Sequence, residues 1–364
     1  MIHTFQIYVP FSAHELDGLQ NRFGFSGYEI NEPLHSIFHF AHFNIIKQFQ
    51  SGMFYLSIHV DAVKLLDRSD IKEDDLTTIE EKLKAMIFGI FLHNSFYKKS
   101  FLVRIDYRFD VKVSDESKRL LLLKLFKKLS DQYKSLKKHL GHINDKGKYV
   151  AYETSVYHSS KSSGILSYDK ESQCKSRDKE IKKCERKIGL SEETIGDQET
   201  ENGICTLNIQ PYEKEVLRFE IRLSKPHLDY KKDERKCKKV RPRTLEAYFK
   251  ESVFHEHVEK LLLPIYFKGD FMKLSEARSI INKSPSLSPT MKKRLTQFLQ
   301  KMNYSKATIS SPLKNKFVSK PTFRKYLREL DKLNIHPVTI PKNVKGAPAR
   351  IENPLKALIK MIEE

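Results

Sequence analysis

The stretch Arg104-Ile105-Asp106-Tyr107-Arg108-Phe109-Asp110 decides the fold class of this chain. Charged residues alternate along it with aromatic and branched apolar residues, a pattern that predicts a β-strand. Because successive side chains of a strand point to opposite faces, the arginines and acids share one face and the apolar residues share the other. The sequence therefore predicts a sheet with one buried face and one charged face.

A second strand of the same kind is predicted at Leu217-Arg218-Phe219-Glu220-Ile221-Arg222-Leu223, where Arg218, Glu220 and Arg222 share a face. Between the two strands lies Gly164-Ile165-Leu166-Ser167-Tyr168-Asp169-Lys170, a third predicted strand that ends in a tyrosine, an acid and a lysine. A face that combines acids and arginines suits a surface that binds a metal ion together with a phosphate backbone.

Composition favours a polyanionic partner. The chain has 364 residues, 39% of them hydrophobic and 31% charged, enough for two domains with a buried core. Lys and Arg number 66 against 46 Asp and Glu, which gives a formal net charge of +20. An excess of this size is typical of proteins that bind nucleic acid.

Cysteine spacing and hydropathy indicate a cytoplasmic protein that does not bind membranes. No C-x-x-C spacing occurs among Cys174, Cys184, Cys205 and Cys237, so we expect reduced thiols and neither a zinc site nor a secreted disulfide framework. Residues 1–10 predict a strand and lack the basic start of a signal peptide. No apolar run approaches the ~18–20 residues that a membrane span needs.

The order of elements predicts an α+β domain over residues 1–230, with a charged insertion at 171–202, a basic linker at 231–243 and an all-α domain at 244–364. The predicted strands are 4–9, 34–43, 53–60, 101–113, 149–157, 164–169 and 216–223. The predicted helices are 77–92, 115–140, 244–262, 274–282, 290–302, 320–333 and 354–363.

The charged face leaves two interpretations open. Asp106 and Asp110 are roughly 13 Å apart along a strand, so they cannot share one metal ion, and at most one of them joins a site with Glu220. The alternative is a solvated face in which Asp106 or Asp110 forms cross-strand ion pairs with Arg218 or Arg222.

Tyr168 is a candidate nucleophile. A tyrosine hydroxyl can attack a phosphodiester if a divalent ion polarises the phosphate and carboxylates hold that ion. Tyr168 is one of 16 tyrosines, and an ordinary strand aromatic is the alternative. Its position between two acidic strands favours the catalytic hypothesis.

Histidines offer a competing metal site. The candidates are His35, His39, His42, His59, His255 and His257. His255 and His257 diverge around a predicted helix, so we expect ordinary surface or partly buried histidines. His59, on a predicted central strand, is kept as the alternative ligand.

The segments 104–106, 163–170 and 217–223, in this order, resemble motifs of the replication initiators of rolling-circle plasmids and filamentous phages. Residues 54–66 also resemble the phage branch of that family. The likeness covers about residues 50–230, with a looser likeness at 321–330. Two features depart from the family pattern, the long insertion after the tyrosine segment and Gln173 in place of an acid.

The resemblance implies an HUH-like nuclease fold, an antiparallel sheet with helices on one side. It implies Tyr168 as the nucleophile, Lys170 as a second catalytic residue, and Asp106, Glu220 and Asp169 as acids that hold Mg²⁺ or Mn²⁺. In a straight strand Tyr168 and Asp169 would face opposite sides, so both reach one site only if the strand ends or bulges there.

The same resemblance implies a protein that nicks and religates one strand of origin DNA, at a single-stranded or hairpin site, with a host helicase as a further partner. The sequence does not set the oligomeric state, for which a dimer is one option. The alternatives are a non-catalytic, sequence-specific DNA-binding protein with a nuclease-like fold, and an RNA-binding protein.

Two sets of basic residues are predicted to bind DNA. Arg104, Arg218 and Arg222 would hold phosphates bidentately. Arg324, Lys325 and Arg328 lie on one polar face of a predicted helix that resembles the recognition helix of a helix-turn-helix or winged unit. The alternative for this helix is a basic amphipathic segment that packs on the nuclease domain.

Overall fold

The computed structural model of the protein describes residues 1–48, 52–144, 146–176, 210–302, 304 and 307–363. The chain divides into two compact units, each built from three stretches of sequence. The first unit comprises Met1–Phe109, Ser159–Ile165 and Glu220–Pro264, and the second comprises Asp110–His158, Leu166–Phe219 and Ile265–Glu364. The predicted domain boundaries near residues 230 and 243 stay predictions, and most of the predicted insertion at 171–202 lies outside the described residues.

The chain contains both strands and helices, with an antiparallel pairing of the first strands, and the α+β class is confirmed. The strands are β1 (Ile2–Phe11), β2 (Ala41–Lys47), β3 (Phe54–Asp61), β4 (Phe101–Lys112), β5 (Gln132–Tyr133), β6 (Leu136–His139), β7 (Gly141–Ile143), β8 (Tyr149–Ala151), β9 (Ser155–Ser159), β10 (Ser163–Asp169), β11 (Val216–Ser224), β12 (Phe271–Met272) and β13 (Arg350–Ile351).

The helices are α1 (Ala13–Phe23), α2 (Asn31–Ile37), α3 (Ala62–Leu66), α4 (Leu76–Phe91), α5 (Ser95–Lys99), α6 (Glu116–Phe126), α7 (Lys225–Lys232), α8 (Leu245–Tyr248), α9 (Glu251–His257), α10 (Leu263–Tyr266), α11 (Leu274–Lys283), α12 (Pro289–Met302), α13 (Ser311–Lys314), α14 (Lys320–Lys332) and α15 (Lys356–Glu363). A π-helix, Val258–Leu262, joins α9 to α10, and short 3₁₀ turns occur at Glu73–Asp75 and Pro211–Glu213. Residues 170–176 are also helical. None of the helices in these ranges combines the length and the apolar character needed to cross a bilayer.

In the first unit the strand order is β2-β3-β1-β4-β11-β10, and β1 pairs antiparallel with both β3 and β4. Phe5 on β1 lies opposite Val60 and Ile105, and all three side chains are buried in the core. Successive side chains of a strand point to opposite faces of the sheet. The next residue, Gln6, therefore lies on the other face, together with its partners His59 and Arg104. This arrangement gives the sheet of the first unit an apolar face and a polar face.

In the second unit the strand order is β4-β11-β10-β9-β6-β5. The aromatic core of this unit forms around Phe126 of α6, whose ring centroid lies 5.8 Å from that of Phe219, 5.0 Å from that of Tyr266 and 6.0 Å from that of Phe271. Phe219 is on β11, so the apolar face of the motif strand packs inward as the alternation predicts.

The predicted helix at 115–140 is wrong beyond its first three turns. Helix α6 ends at Phe126, and residues 132–139 form the hairpin of β5 and β6. Lys134 turns this hairpin with a φ of 52°, a conformation that a sequence pattern of lysines and leucines does not reveal. Asp131, just before the hairpin, forms ion pairs with Lys138 of β6 and with Lys314, which is distant in sequence.

Three other predicted elements need correction. The predicted strand at 34–43 is helix α2 followed by β2, and Asn31 of α2 accepts a hydrogen bond from the backbone of Phe43. The predicted strand at 149–157 is two strands, since β8 pairs with β7 and β9 joins the large sheet. The predicted helix at 244–262 is broken into α8, α9 and a π-helix.

The predicted all-α character of the C-terminal region is also corrected, because β12 pairs antiparallel with β13. The fully buried carboxylate of Asp270 anchors this small sheet. It accepts hydrogen bonds from Arg350, the side chain of Asn334 and the backbone of Asn353. Helices still dominate this region, and its winged or helix-turn-helix character stays a prediction at this point.

Candidate active site

Asp106 lies on β4 with 1% of its surface exposed. Both of its carboxylate oxygens accept hydrogen bonds from Arg104, and Thr4 donates to Oδ2 at 3.2 Å. Arg222 of β11 adds an ion pair, with 3.3 Å between Nε and Oδ2. A buried charge needs such partners to offset its lost hydration. Arg104 and Arg222 together offset the charge of this buried carboxylate.

Glu220 lies on the adjacent strand β11 and is also buried. Its Oε1 is 3.1 Å from Nδ1 of His3. The pairing of β1 with β4 is irregular between Ile2 and Thr4, and an irregularity of this kind can re-aim the side chain between them. The first strand of the chain thus supplies a partner for the carboxylate.

Asp106 and Glu220, the predicted metal ligands, are buried carboxylates on the same face of the sheet. Arg222 contacts Asp106, so Glu220, two residues earlier on the same face of β11, is a diagonal cross-strand neighbour of Asp106. Mg²⁺ binds through one or two carboxylates and completes its shell with water and phosphate oxygens. Within the described residues no group of three or more His, Cys, Asp and Glu side chains is arranged to hold a metal ion. Binding of Mg²⁺ or Mn²⁺ by Asp106 and Glu220 therefore stays a prediction.

His59 of β3 is the histidine kept as an alternative ligand. Burial, helped by the nearby Arg104, holds the pKa of His59 below its ordinary value, and Asp106 partly opposes that shift. Its Nε2 is buried and has no hydrogen-bond partner among the described residues. His59 therefore stays neutral on the same polar face as Asp106.

The other histidines have structural contacts. The rings of His35 and His42 stack with 4.5 Å between centroids, and Nδ1 of His35 lies 2.7 Å from the backbone oxygen of Ala41. His257 is buried, with its Nε2 3.3 Å from Nε2 of His227. These contacts agree with the prediction of ordinary, partly buried histidines.

In the second unit, Arg218 of β11 forms a bidentate ion pair with Asp110 of β4, at 2.8 and 3.0 Å. The cross-strand ion pairs that the sequence left open as an alternative are therefore formed, at Arg218 with Asp110 and at Arg222 with Asp106. Arg218 is 1% exposed, so its predicted role in holding phosphate requires this pair to open.

Tyr168 is the next-to-last residue of β10, and 4% of its surface is exposed. The neighbouring Ser167 points into the aromatic core, where its hydroxyl accepts a hydrogen bond from Tyr266 at 2.7 Å. Alternation along the strand then directs Tyr168 to the opposite face, the face that Arg218 occupies on β11. Its placement agrees with a polar face that carries the motif residues.

Asp169 lies on the other side of β10 from Tyr168, in an interior ion pair. Nε of Arg119 on α6 lies 2.5 Å from Oδ2 of Asp169, and Nη2 of Arg119 lies 3.0 Å from Glu171. Arg119 also donates to the backbone oxygen of Val113 at 2.7 Å. This network ties the end of β10 to the start of α6, while a role of Asp169 as a metal ligand stays a prediction.

Lys170 begins the helical turn after β10. Its Nζ lies 3.2 Å from Glu213 and 3.2 Å from the side-chain oxygen of Gln173. Gln173, the residue at which the sequence departs from the motif it resembles, is thus a hydrogen-bond partner of Lys170. The catalytic role of Lys170 stays a prediction.

The predicted site residues fall in both units. Asp106, Glu220 and Arg222 belong to the first, and Tyr168 and Asp169 belong to the second. The predicted DNA-binding residues Arg324, Lys325 and Arg328 lie on the exposed side of α14 in the second unit.

Sequence reasoning missed His3 and Arg119. His3 precedes its partner Glu220 by more than two hundred residues, and Arg119 pairs with Asp169, which lies fifty residues later in the chain. No local pattern marks either residue as a partner of a site carboxylate.

Comparison with known proteins gives little further support. No protein-family model and no curated protein matches this sequence. Among solved structures, the chain is similar to a rolling circle replication initiator protein from Geobacillus stearothermophilus, with 11% identity over 94% of this chain and 98% of that one. The TM-score of 0.31 is too low for this likeness to carry an argument about fold or function.

Proposed function

We propose that the protein is a metal-dependent DNA strand transferase that starts rolling-circle replication by nicking one strand through Tyr168. The observation that supports the proposal is the strand order. β11 lies between β4 and β10, so the three motif segments, which are far apart in sequence, occupy neighbouring strands. The two buried carboxylates, Asp106 and Glu220, are on two of these strands.

In the proposed reaction the phenolic oxygen of Tyr168 attacks the phosphorus of one phosphodiester. The bond to the 3′ oxygen breaks, and the protein keeps the 5′ end as a phosphotyrosine. The phenol loses its proton and the leaving 3′ oxygen gains one. The free 3′ hydroxyl then primes synthesis, and the reverse of the same chemistry religates the strand.

Asp106 and Glu220 would hold the divalent ion, with His3 orienting Glu220. A bound Mg²⁺ or Mn²⁺ supplies Lewis-acid polarisation of the scissile phosphate. Arg104 and Arg222, which pair with Asp106, would also contact the phosphate backbone. Arg119 would act through Asp169 by fixing the end of β10 and with it the backbone of Tyr168. Origin DNA and a host helicase are the partners that the motif resemblance adds to this proposal.

A non-catalytic, sequence-specific DNA-binding protein is the second candidate function. The burial of Tyr168 favours this second candidate. A nucleophile must reach its phosphate, and only 4% of the surface of Tyr168 is exposed. This candidate shares the net charge and the sheet with the first. The two differ only in whether a covalent product forms.

Covalent trapping separates the two candidates. The protein is incubated with a library of supercoiled circles in the presence of Mn²⁺, and the products are separated under denaturing conditions. The proposal expects nicked circles joined to protein, with EDTA abolishing the product. Binding without any nicked or joined product would favour the non-catalytic candidate.

A further inference from the structure

Helices α11 and α12 are consecutive helices of the second unit. They pack against each other across a five-residue connection, residues 284–288. Leu287 and Ser284 of the connection are buried, and Nζ of Lys292 donates to the backbone oxygen of Asn282 at 2.8 Å. Two packed helices joined by a short, partly buried connection resemble a helix-turn-helix.

The second helix of this pair has one apolar face and one basic face. Leu295, Phe298, Leu299 and Met302 are buried at helical spacing. The exposed residues are Pro289, Thr290, Lys293, Arg294, Gln297, Gln300 and Lys301. No acidic residue occurs between Pro289 and Met302, so the exposed face is uniformly positive or neutral.

Helix α14 supports α12 from behind. The ring of Phe298 lies 5.9 Å from that of Phe323 and 5.5 Å from that of Tyr326, measured between centroids. The apolar side of α14 thus packs on the buried side of α12. This packing completes a unit of three helices in which the basic face of α12 points away from the core.

We infer that the exposed face of α12, with Lys293, Arg294 and Gln297, reads base edges in the major groove of double-stranded DNA. Arg and Gln are the side chains that pair bidentately with guanine and adenine there. In a helix-turn-helix the second helix enters the groove and its first turns contact the bases, which is where these three residues lie. The inference rests on the proposed function only in taking DNA as the partner.

Helix α14 is then not the recognition helix that its sequence resembles. Its exposed Arg324, Lys325 and Arg328 share the helix with Glu329 and Asp331, and Glu329 pairs with Lys332 at 3.0 Å. A third helix packed behind the pair reaches phosphates more readily than bases. We assign the charges of α14 to sequence-independent contacts with the DNA backbone, which position the protein without reading sequence.

The test compares full-length variants on a duplex library with a randomised central segment, by repeated selection and sequencing of the bound fraction. Wild type should enrich one motif. Gln297→Glu and Arg294→Gln should each change the preferred base at one position, with about ten- to hundredfold loss on the wild-type motif. The triple variant Arg324→Ala/Lys325→Ala/Arg328→Ala should keep the motif, bind all duplexes more weakly, and lower the slope of affinity against salt by about one per lost contact.

Several results would overturn the inference. If the wild-type protein enriches no DNA motif, the exposed face of α12 binds another partner, such as an acidic protein surface. An unchanged motif in both α12 variants, or a changed motif in the α14 variant, would also contradict it. Cleavage of a single-stranded oligonucleotide, measured in parallel, separates this failure from that of the proposed function. A wild type that selects a motif and never cleaves would reject the nicking activity and leave the role of α12 in place.

Discussion

Nδ1 of His3, on the first strand, lies 3.1 Å from Oε1 of Glu220, on a strand more than two hundred residues later. The contact orients a buried carboxylate on the polar face of the sheet, beside the Asp106 and Arg222 pair. A carboxylate that is held in one orientation binds a cation with less loss of side-chain freedom.

Glu220→Gln should lower DNA cleavage at least about a hundredfold, since an amide is a poor ligand for a hard cation and the ion supplies several kcal/mol of transition-state stabilisation. The measurement is the rate of nicking against Mn²⁺ concentration. Glu81→Gln, at an exposed position on α4, is the matched control and should cleave normally. Normal cleavage by Glu220→Gln would contradict the proposal that carboxylates hold the metal ion, and would favour His59 as the alternative ligand.

His3→Ala should raise the Mn²⁺ concentration needed for half-maximal cleavage and leave the maximal rate close to that of wild type. The reason is that His3 orients the carboxylate and does not touch DNA in the proposed reaction. His3→Gln, which can donate a hydrogen bond to Glu220, should restore the wild-type requirement. A drop in the maximal rate with no change in the Mn²⁺ requirement would show that His3 acts elsewhere.

The Arg119 and Asp169 pair should be a strong stability element of the second unit. Arg119→Met leaves Asp169 buried without its main partner, which costs about 3–5 kcal/mol of unfolding free energy. The double variant Arg119→Met/Asp169→Leu should lose less than the sum of the two single variants, as measured by denaturant unfolding. Additive losses would mean that the pair is not coupled.

Asp169→Asn separates the structural role of this residue from the predicted metal role. If Asp169 fixes β10 through Arg119, the Mn²⁺ requirement of cleavage should match that of wild type while the unfolding midpoint falls. The reverse pattern, a raised Mn²⁺ requirement in a stable variant, would support Asp169 as a ligand.

Stability should fall in mild acid because several histidines are buried and neutral. Burial lowers the pKa of His336 to about 3, and it lowers those of His227 and His158 to about 3 and about 4. Unfolded histidines take up protons below their ordinary pKa of about 6.5, while the folded ones do not. The unfolded state therefore gains protons as the pH falls from about 6.5 toward 4, and folding stability decreases over that window.

The measurement for this effect is the thermal unfolding midpoint of wild type and His336→Gln at about pH 7 and about pH 5. In the folded protein Nδ1 of His336 accepts from the backbone of Val338 at 2.9 Å and Nε2 lies 3.0 Å from the backbone oxygen of Tyr266. Glutamine can both accept and donate but does not titrate, so the variant should lose less stability on acidification. An equal loss in both proteins would remove His336 from the explanation.

Local patterns predicted β4 and β11 because each has a complete apolar face. β4, β10 and β11 begin and end within one or two residues of the predicted bounds. Helices α4, α12 and α14 were predicted for the same reason, since their apolar residues repeat at helical spacing. The alternation also placed Tyr168 and Asp169 on opposite faces of one strand, as the structure shows.

The rest of the fold depends on contacts that no window of sequence contains. Asp131, next to the hairpin of β5 and β6, pairs with Lys314, a contact that the helical pattern around Asp131 does not reveal. The sequence left α14 open between a recognition helix and a basic amphipathic helix that packs on the protein. The contacts of Phe323 and Tyr326 with Phe298 show that α14 packs on the buried side of α12, which only the folded chain reveals.

The identity of the nucleophile is the central claim, and mapping of the covalent adduct tests it most directly. Wild type and the variants Tyr168→Phe, Tyr157→Phe and Tyr152→Phe are incubated with supercoiled circles that carry the selected motif and Mn²⁺. The joined product is digested with protease and nuclease, and the modified peptide is identified by mass spectrometry. The account predicts a nucleotide on Tyr168, no adduct from Tyr168→Phe despite normal DNA binding, and normal adducts from the other two variants. An adduct on another tyrosine, or an undiminished adduct from Tyr168→Phe, would contradict it.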